Sequence, residues 1–227
     1  MTTSRRDFLQ RAAGATALLS TMPMTMDAFD PRAASAIVPQ GGETFDLTWV
    51  NRLTTKHKAI FDVPEIDSGY GVWRASLWIN QYNQFLSVPP TDMTAVVVLR
   101  HHGIALAMQQ SFWDKYGVGK AKSVMHPITQ QPTDRNPVLL SSKRKEIPDM
   151  FDAVQLDKFI ARGGIALACN LAFDDCVETV KAKDKVSDAE ARKRALAAMV
   201  PGVVMQPSGV FAALRAQEGG CVYLRAS

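Results

Sequence analysis

The chain has 227 residues, of which 47% are hydrophobic and 21% charged, a balance typical of a soluble globular protein with a sizeable core. Its formal net charge of +4 is modest, and no basic run is interleaved with aromatic residues, which argues against a nucleic-acid-binding protein. The length suits one domain preceded by a targeting segment.

The first 36 residues have the pattern of an export signal. Residues 4–9, Ser-Arg-Arg-Asp-Phe-Leu, resemble the twin-arginine consensus of the bacterial Tat pathway. The mildly apolar stretch at residues 12–19 is about half as long as a membrane-spanning helix. A small-x-small sequence at residues 34–36 predicts cleavage after Ala36, with Ala28 as the alternative. We therefore expect the Tat translocase to export the protein to the periplasm, without stable membrane insertion.

Apolar runs alternate with helical patterns after a linker or N-terminal arm at residues 37–55, which predicts a single domain over residues 56–227. The predicted strands are residues 58–63, 94–99, 165–168, 202–205 and 221–224. The predicted helices are residues 72–86, 104–112, 150–161, 171–183, 189–199 and 210–217. This alternation indicates a three-layer α/β/α sandwich with a mostly parallel sheet of about five strands, as in flavodoxin-like folds.

Residues 116–148 interrupt the alternation with a long segment of weak periodicity. The segment contains Pro127, Pro132 and Pro137, and its basic cluster lies at residues 143–145. A loop of this length inside a compact domain is usually a lid, a binding loop or an assembly surface. We therefore predict an insertion with one of these roles.

Cys169 is the first candidate for chemistry, because it follows an unbroken apolar run and precedes a predicted helix. Open α/β sheets bind ligands at the carboxyl ends of their strands, and a helix N-terminus favours a thiolate. Cys169 could instead be a small buried residue that ends the strand. Cys176 lies two helical turns further on and is interpreted as structural. Together with Cys221 the cysteines number three, which predicts at least one free or intermolecular thiol.

His101 and His102 follow the second predicted strand, at the same edge of the sheet as Cys169. Successive residues of an extended chain point to opposite faces, so only one histidine would face a given pocket unless the chain turns there. That histidine could be a base, a metal ligand or a structural residue, but the sequence has no specific metal-ligand spacing around it. The candidate ligand-binding residues at this edge are Asp67, Arg74, His101, His102, Asn170 and Ser208.

Two segments of the chain have a distinctive pattern. Residues 159–173 hold a glycine-led apolar strand that ends in a cysteine and leads into a helix. Residues 203–210, Val-Val-Met-Gln-Pro-Ser-Gly-Val, form a turn motif, and a helical stretch follows it to Tyr223. With these two segments the chain resembles the DsrE/DsrF-like sulfur-relay family, over about residues 56–226. The resemblance implies a small parallel α/β domain that forms trimers or hexamers, in which the cysteine matching Cys169 carries persulfide sulfur in some members.

These observations support three hypotheses and name no cofactor. The first is an exported DsrE-like protein that handles a sulfur species or small ligand at Cys169. The second is a non-catalytic oligomeric binding or assembly module whose long loop contacts a partner. The third is a metal- or cofactor-binding protein that uses His101 or His102.

Overall fold

A computed structural model describes residues 44–227 of the chain. The predicted export signal, residues 1–36, and residues 37–43 of the predicted linker lie outside the described residues. The strands are β1 (His57–Val63), β2 (Met93–Leu99), β3 (Ile165–Cys169), β4 (Val204–Gln206) and β5 (Val222–Arg225). Each lies within two residues of its predicted position, because each is a short apolar run bounded by turn-forming residues.

The five strands form one parallel sheet in the order β4-β3-β2-β1-β5. Because the strands are parallel, all of their carboxyl ends lie along the same edge of the sheet. The predicted three-layer α/β/α sandwich with a parallel sheet of five strands is confirmed.

The helices in residues 44–227 differ from the prediction mainly in where they begin. The α-helices are α1 (Tyr70–Leu86), α2 (Gln110–Tyr116), α3 (Val118–Ala121), α4 (Leu156–Ala161), α5 (Asn170–Asp184), α6 (Asp188–Ala197) and α7 (Gly209–Glu218). The 3-10 helices are Thr48–Arg52, Asp67–Gly69, Pro90–Asp92, His101–Ala107, Ser142–Arg144 and Asp149–Val154. None of these helices is long and apolar enough to cross a lipid bilayer.

Two predicted helices are each divided by an extended residue. The helix predicted at residues 104–112 is a 3-10 turn followed by α2, because Met108 is extended and bridges to Met199. The helix predicted at residues 150–161 is likewise broken at Gln155, whose side-chain oxygen accepts a hydrogen bond from the backbone of Leu140 at 2.9 Å. Long-range contacts therefore override the local helical pattern at both places.

The core is divided between the two faces of the sheet. Ala95, Val97 and Leu99 of β2 point to the first face, which α1, α2, α4, α5 and α6 cover. Val96 and Val98 point to the second face, which α7 covers. Right-handed crossovers place the helices between β1 and β4 on one face, and the return from β4 to β5 places α7 on the other.

The predicted linker or arm packs on the second face from its first described residues. Trp49 is 2% exposed, and its indole Nε1 donates to Gln206 Oε1 at 2.9 Å. The amide Nε2 of Gln206 donates in turn to the carbonyl of Asp46 at 2.8 Å. Residues 44–55 are therefore part of the folded domain, beside α7.

Residues 116–148 are largely irregular, and buried polar contacts hold them against the domain. The amide of Asn136, which is fully buried, donates to the carbonyls of Leu106 at 3.1 Å and Met108 at 2.7 Å. Tyr70 in α1 donates to the carbonyl of Pro127 at 2.6 Å. These hydrogen bonds therefore hold residues 116–148 against the helices on the first face of the sheet.

Replacing Trp49 with alanine is expected to lower the free energy of unfolding by about 3–5 kcal/mol, because it removes a buried indole and the donor to Gln206. Leu47→Ala, in the same arm but 44% exposed, should change that free energy by less than about 0.5 kcal/mol. Urea denaturation of both variants measures the difference. Equal and small losses would show that the arm does not dock on the sheet in solution.

Candidate functional site

A cavity lies where the chain leaves two neighbouring strands toward opposite faces of the sheet. β3 continues into α5 on the first face, whereas β4 continues into α7 on the second. In open α/β sheets the crevice between two such strands is the usual ligand site. The cavity here has a volume of about 380 Å³. Its lining residues are Arg100, His101, His102, Cys169, Leu171, Ala172, Asp175, Ser208, Gly209 and Val210.

Cys169 lines this cavity as the last residue of β3 and the N-cap of α5. Its Sγ accepts a hydrogen bond from the backbone N–H of Ala172 at 3.4 Å. The alternation along β3 directs its side chain to the second face, beside that of Gln206 in β4. The residue is 6% exposed and is among the residues that line the cavity, so the thiol is largely enclosed.

Cys176 and Cys221 are also buried, but they are not among the residues that line the cavity. Burial raises the pKa of the Cys176 thiol to about 12, and it also raises the pKa of Cys221. Neither is paired with Cys169 in a disulfide within residues 44–227. Both are therefore protonated at neutral pH, which agrees with a structural role for Cys176.

The chain turns directly after β2 and brings both histidines to the cavity. His101 has a φ of +46°, in the left-handed region, and begins the 3-10 helix His101–Ala107. His102 places Nδ1 3.0 Å from Glu65 Oε2. Gly103 follows, at a point where a Cβ atom would overlap the carbonyl oxygen of Val63. The tight turn explains why two successive residues line one cavity, which an extended strand would not allow.

Arg100 is a charged cavity residue that the sequence analysis did not select, and it belongs to a polar cluster around the buried Asp62. It donates through Nε and Nη2 to the two carboxylate oxygens of Asp62, at 2.7 and 2.8 Å. Tyr223 in β5 donates its hydroxyl to the same carboxylate at 2.6 Å. Asp62 itself is 1% exposed. The cluster thus joins Asp62 of β1, Tyr223 of β5 and the residue directly after β2, and these three strands are neighbours in the sheet.

The cluster is ionised at neutral pH. Burial by itself would raise the pKa of Asp62, but the hydrogen bonds from Arg100 and Tyr223 outweigh it, and the pKa lies below its ordinary value. The hydrogen bond to Asp62 raises the pKa of Arg100, and the same carboxylate raises the pKa of Tyr223. Asp62 is therefore an anion, Arg100 a cation, and Tyr223 a neutral donor.

One signal in the sequence could have located the cluster. Asp62 is a charged residue inside an otherwise apolar strand, and Arg100 directly follows another such strand. A buried acid in a strand requires a partner of opposite charge or several hydrogen-bond donors. Arg100, at the end of the adjacent strand, is a natural choice once β1 and β2 are known to pair.

The remaining predicted site residues have other contacts. Asp67 and Arg74 form an exposed ion pair at 3.0 Å and are not among the residues that line the cavity. The side-chain oxygen of Asn170 accepts a hydrogen bond from Arg192 in α6. Ser208 does line the cavity, and its Oγ caps α7 by accepting from the N–H of Phe211 at 3.0 Å. The cavity thus unites Cys169, both histidines and Ser208, but not the Asp67–Arg74 pair.

The third hypothesis, a metal site at the histidines, gains no support from the geometry. In the part of the chain that the structure describes, no three side chains of His, Cys, Asp or Glu are arranged to hold a metal ion. His102 pairs with Glu65 at 3.0 Å, and one such pair does not make a ligand set.

Arg100→Ala is expected to lower the free energy of unfolding by about 3 kcal/mol at neutral pH, because the buried carboxylate of Asp62 loses its partner. The lowered pKa of Asp62 sets the pH dependence. The pair stabilises the fold fully above the unfolded pKa of about 3.9, and this stabilisation is lost as the pH falls through the lower folded value. The deficit of the variant should therefore shrink below about pH 4.

The exposed pair of Asp67 and Arg74 provides the control, since Arg74→Ala should cost about 1 kcal/mol or less. Urea denaturation across the pH range measures both variants. A loss for Arg100→Ala no larger than that for Arg74→Ala contradicts the assignment of a buried, stabilising pair.

Comparisons with protein-family models, with curated proteins and with solved structures give no match, so the description of this site rests on its own geometry.

Proposed function

We propose that this chain is an exported DsrE-like protein that carries a sulfur species on Cys169. The observation that carries the proposal is the position of the thiol, which ends β3, begins α5 and lines the cavity with Arg100. Ligands of open α/β sheets bind in crevices of this kind. The family resemblance of residues 159–173 points to the same cysteine.

The transfer of sulfur to Cys169 can be written with thiosulfate as the sulfur donor. The thiolate of Cys169 attacks the outer sulfur of thiosulfate and forms a new S–S bond. The S–S bond within thiosulfate breaks, and sulfite leaves with the bonding electron pair. Cys169 then carries a persulfide, without any external oxidant or reductant. An acceptor thiolate can take the outer sulfur by the same exchange and restore the Cys169 thiolate.

The surroundings of Cys169 suit a sulfur atom that carries negative charge. The N–H of Ala172 points at Sγ, and N–H groups at the start of a helix attract anions. Arg100 adds a guanidinium group to the cavity wall, ion-paired with the carboxylate of Asp62, and Asp175 is the acidic residue of the lining. Because Cys169 is 6% exposed, a persulfide there would be shielded from thiols in bulk solution.

Cys169→Ser is expected to abolish the persulfide that forms when the protein is incubated with thiosulfate, because serine cannot take up sulfane sulfur. Mass spectrometry detects the persulfide as a mass increase of one sulfur atom on the peptide that contains residue 169. Cys221→Ala should keep the full signal, since burial raises the pKa of the Cys221 thiol. An undiminished persulfide signal in the Cys169→Ser variant would contradict the proposal.

The export signal and the resemblance extend the proposal to location and assembly. We expect the mature protein in the periplasm, as a homo-oligomer of three or six subunits. Exposed apolar side chains support an assembly surface: Val222 and Leu224 on the edge strand β5 are 68% and 48% exposed. An edge strand offers unpaired backbone groups to another chain, and exposed apolar patches mark contact surfaces.

A non-catalytic assembly module is the second candidate, and this same apolar edge favours it. The two candidates differ in the reactivity of Cys169. A native protein that is oligomeric, but whose Cys169 does not react with a thiol reagent, would support the assembly module alone.

Val222→Lys is expected to convert the oligomer to smaller species, because a lysine on the edge strand opposes pairing with a second chain. Light scattering coupled to gel filtration measures the mass of the particle. Leu77→Lys, on an exposed position of α1, is the matched control and should leave the mass unchanged. An unchanged oligomer in Val222→Lys places the interface elsewhere.

A further inference from the structure

The arginine beside Cys169 is held in a fixed orientation by residues outside the cavity. The Nε and Nη2 donors of Arg100 are both bound to the carboxylate of Asp62, which fixes the plane of the guanidinium group. Asp62 is fixed in turn by the hydroxyl of Tyr223 and by its place in β1, next to the last residue of the strand. A guanidinium held in this way loses little conformational freedom when it binds a ligand.

The pair leaves part of the guanidinium available to a ligand. Arginine has five N–H donors, and the two hydrogen bonds to Asp62 use only two of them. The side chain of Tyr223 is a further hydrogen-bond partner of Arg100, so two of the five N–H donors remain for a ligand. The side chain is 24% exposed and forms part of the wall of the cavity that holds Cys169.

The start of α7 leaves space for this arrangement. A Cβ atom on Gly209 would lie 2.7 Å from both Cβ and Cδ of Arg100, closer than such atoms approach each other. The absence of a side chain at residue 209 therefore lets Arg100 pass between the sheet and the helix. The N-terminus of α7, with Ser208 as its cap, adds its own preference for anions to the same wall.

We propose that Arg100 is the anion-recognition residue of the Cys169 cavity, that Asp62 and Tyr223 position it, and that the cavity selects small ligands bearing a sulfonate or carboxylate group over neutral ones. The proposal rests on the proposed role of Cys169 and specifies the substrate class of that site. Two oxygens of a carboxylate or of a sulfonate match the fork of a guanidinium group, and a charge-assisted hydrogen bond in a partly enclosed site is stronger than a neutral one.

Two alkylating reagents of nearly equal shape test this preference without sulfur transfer. Iodoacetate carries a carboxylate and iodoacetamide is neutral, and with both the Cys169 thiolate displaces iodide to form an S–C bond. The ratio of the iodoacetate rate to the iodoacetamide rate, measured on the peptide containing residue 169 by mass spectrometry, reports anion recognition. Arg100→Gln should lower this ratio about tenfold, as expected for the loss of one hydrogen bond to a charged group.

The positioning residues are tested by milder changes. Tyr223→Phe should lower the ratio about two- to threefold through the loss of one hydrogen bond to Asp62. Gly209→Ala should lower it by displacing Arg100, and both variants report on the proposal even if Arg100→Gln does not fold. Arg194→Gln, which removes an arginine paired with Glu190 at 2.8 Å on α6, is the control and should leave the ratio unchanged.

Three possible results distinguish the anion-recognition proposal from the sulfur-carrier function. An unchanged ratio in Arg100→Gln, Tyr223→Phe and Gly209→Ala overturns the anion-recognition proposal. So does a native Cys169 that neither reagent alkylates, because the cavity would then admit no small molecule to the thiol. A lowered ratio in a protein that forms no persulfide with thiosulfate supports the anion site while rejecting the sulfur-carrier function.

Discussion

The return of the chain from β4 to β5 is the step on which the rest of this structure depends. The strands β1 to β4 follow one another across the sheet, and the helices of their right-handed crossovers all cover the first face. To add β5 beside β1, the chain crosses the sheet in the opposite direction, so α7 covers the second face. Without that reversal, the apolar residues of the second face, such as Val96 and Val98, would face solvent.

The same reversal makes the cavity. α5 and α7 begin at neighbouring strand ends but diverge to opposite faces, and the space between their first turns is not filled by either helix. Cys169 lies on one side of that space and Gly209 on the other. Packing of the second face and formation of the candidate site are therefore two consequences of one crossover.

The cluster of Asp62, Arg100 and Tyr223 links stability to the properties of this cavity. A carboxylate in the middle of an apolar sheet is unfavourable unless it is paired and hydrogen-bonded. Its partners come from β2 and β5, which flank β1 on either side. The contacts that satisfy the buried acid also aim a guanidinium group along the cavity wall, so a residue needed for folding also shapes the electrostatics beside the thiol.

The local hydrophobic pattern of the sequence determined a large part of the fold. Runs such as residues 94–99 are typical of strands buried on both faces, as in a parallel sheet with helices on each side, so the strands, the layered class and the place of Cys169 at a strand end follow from hydrophobic patterning. Tertiary structure decided the rest: the turn that brings both His101 and His102 to the cavity, the breaks at Met108 and Gln155, and the pairing of Asp62 with Arg100. Periodicity reports which side of an element is buried. It carries no information on which distant residue lies opposite, because strand order and crossover direction set that only when the sheet is assembled.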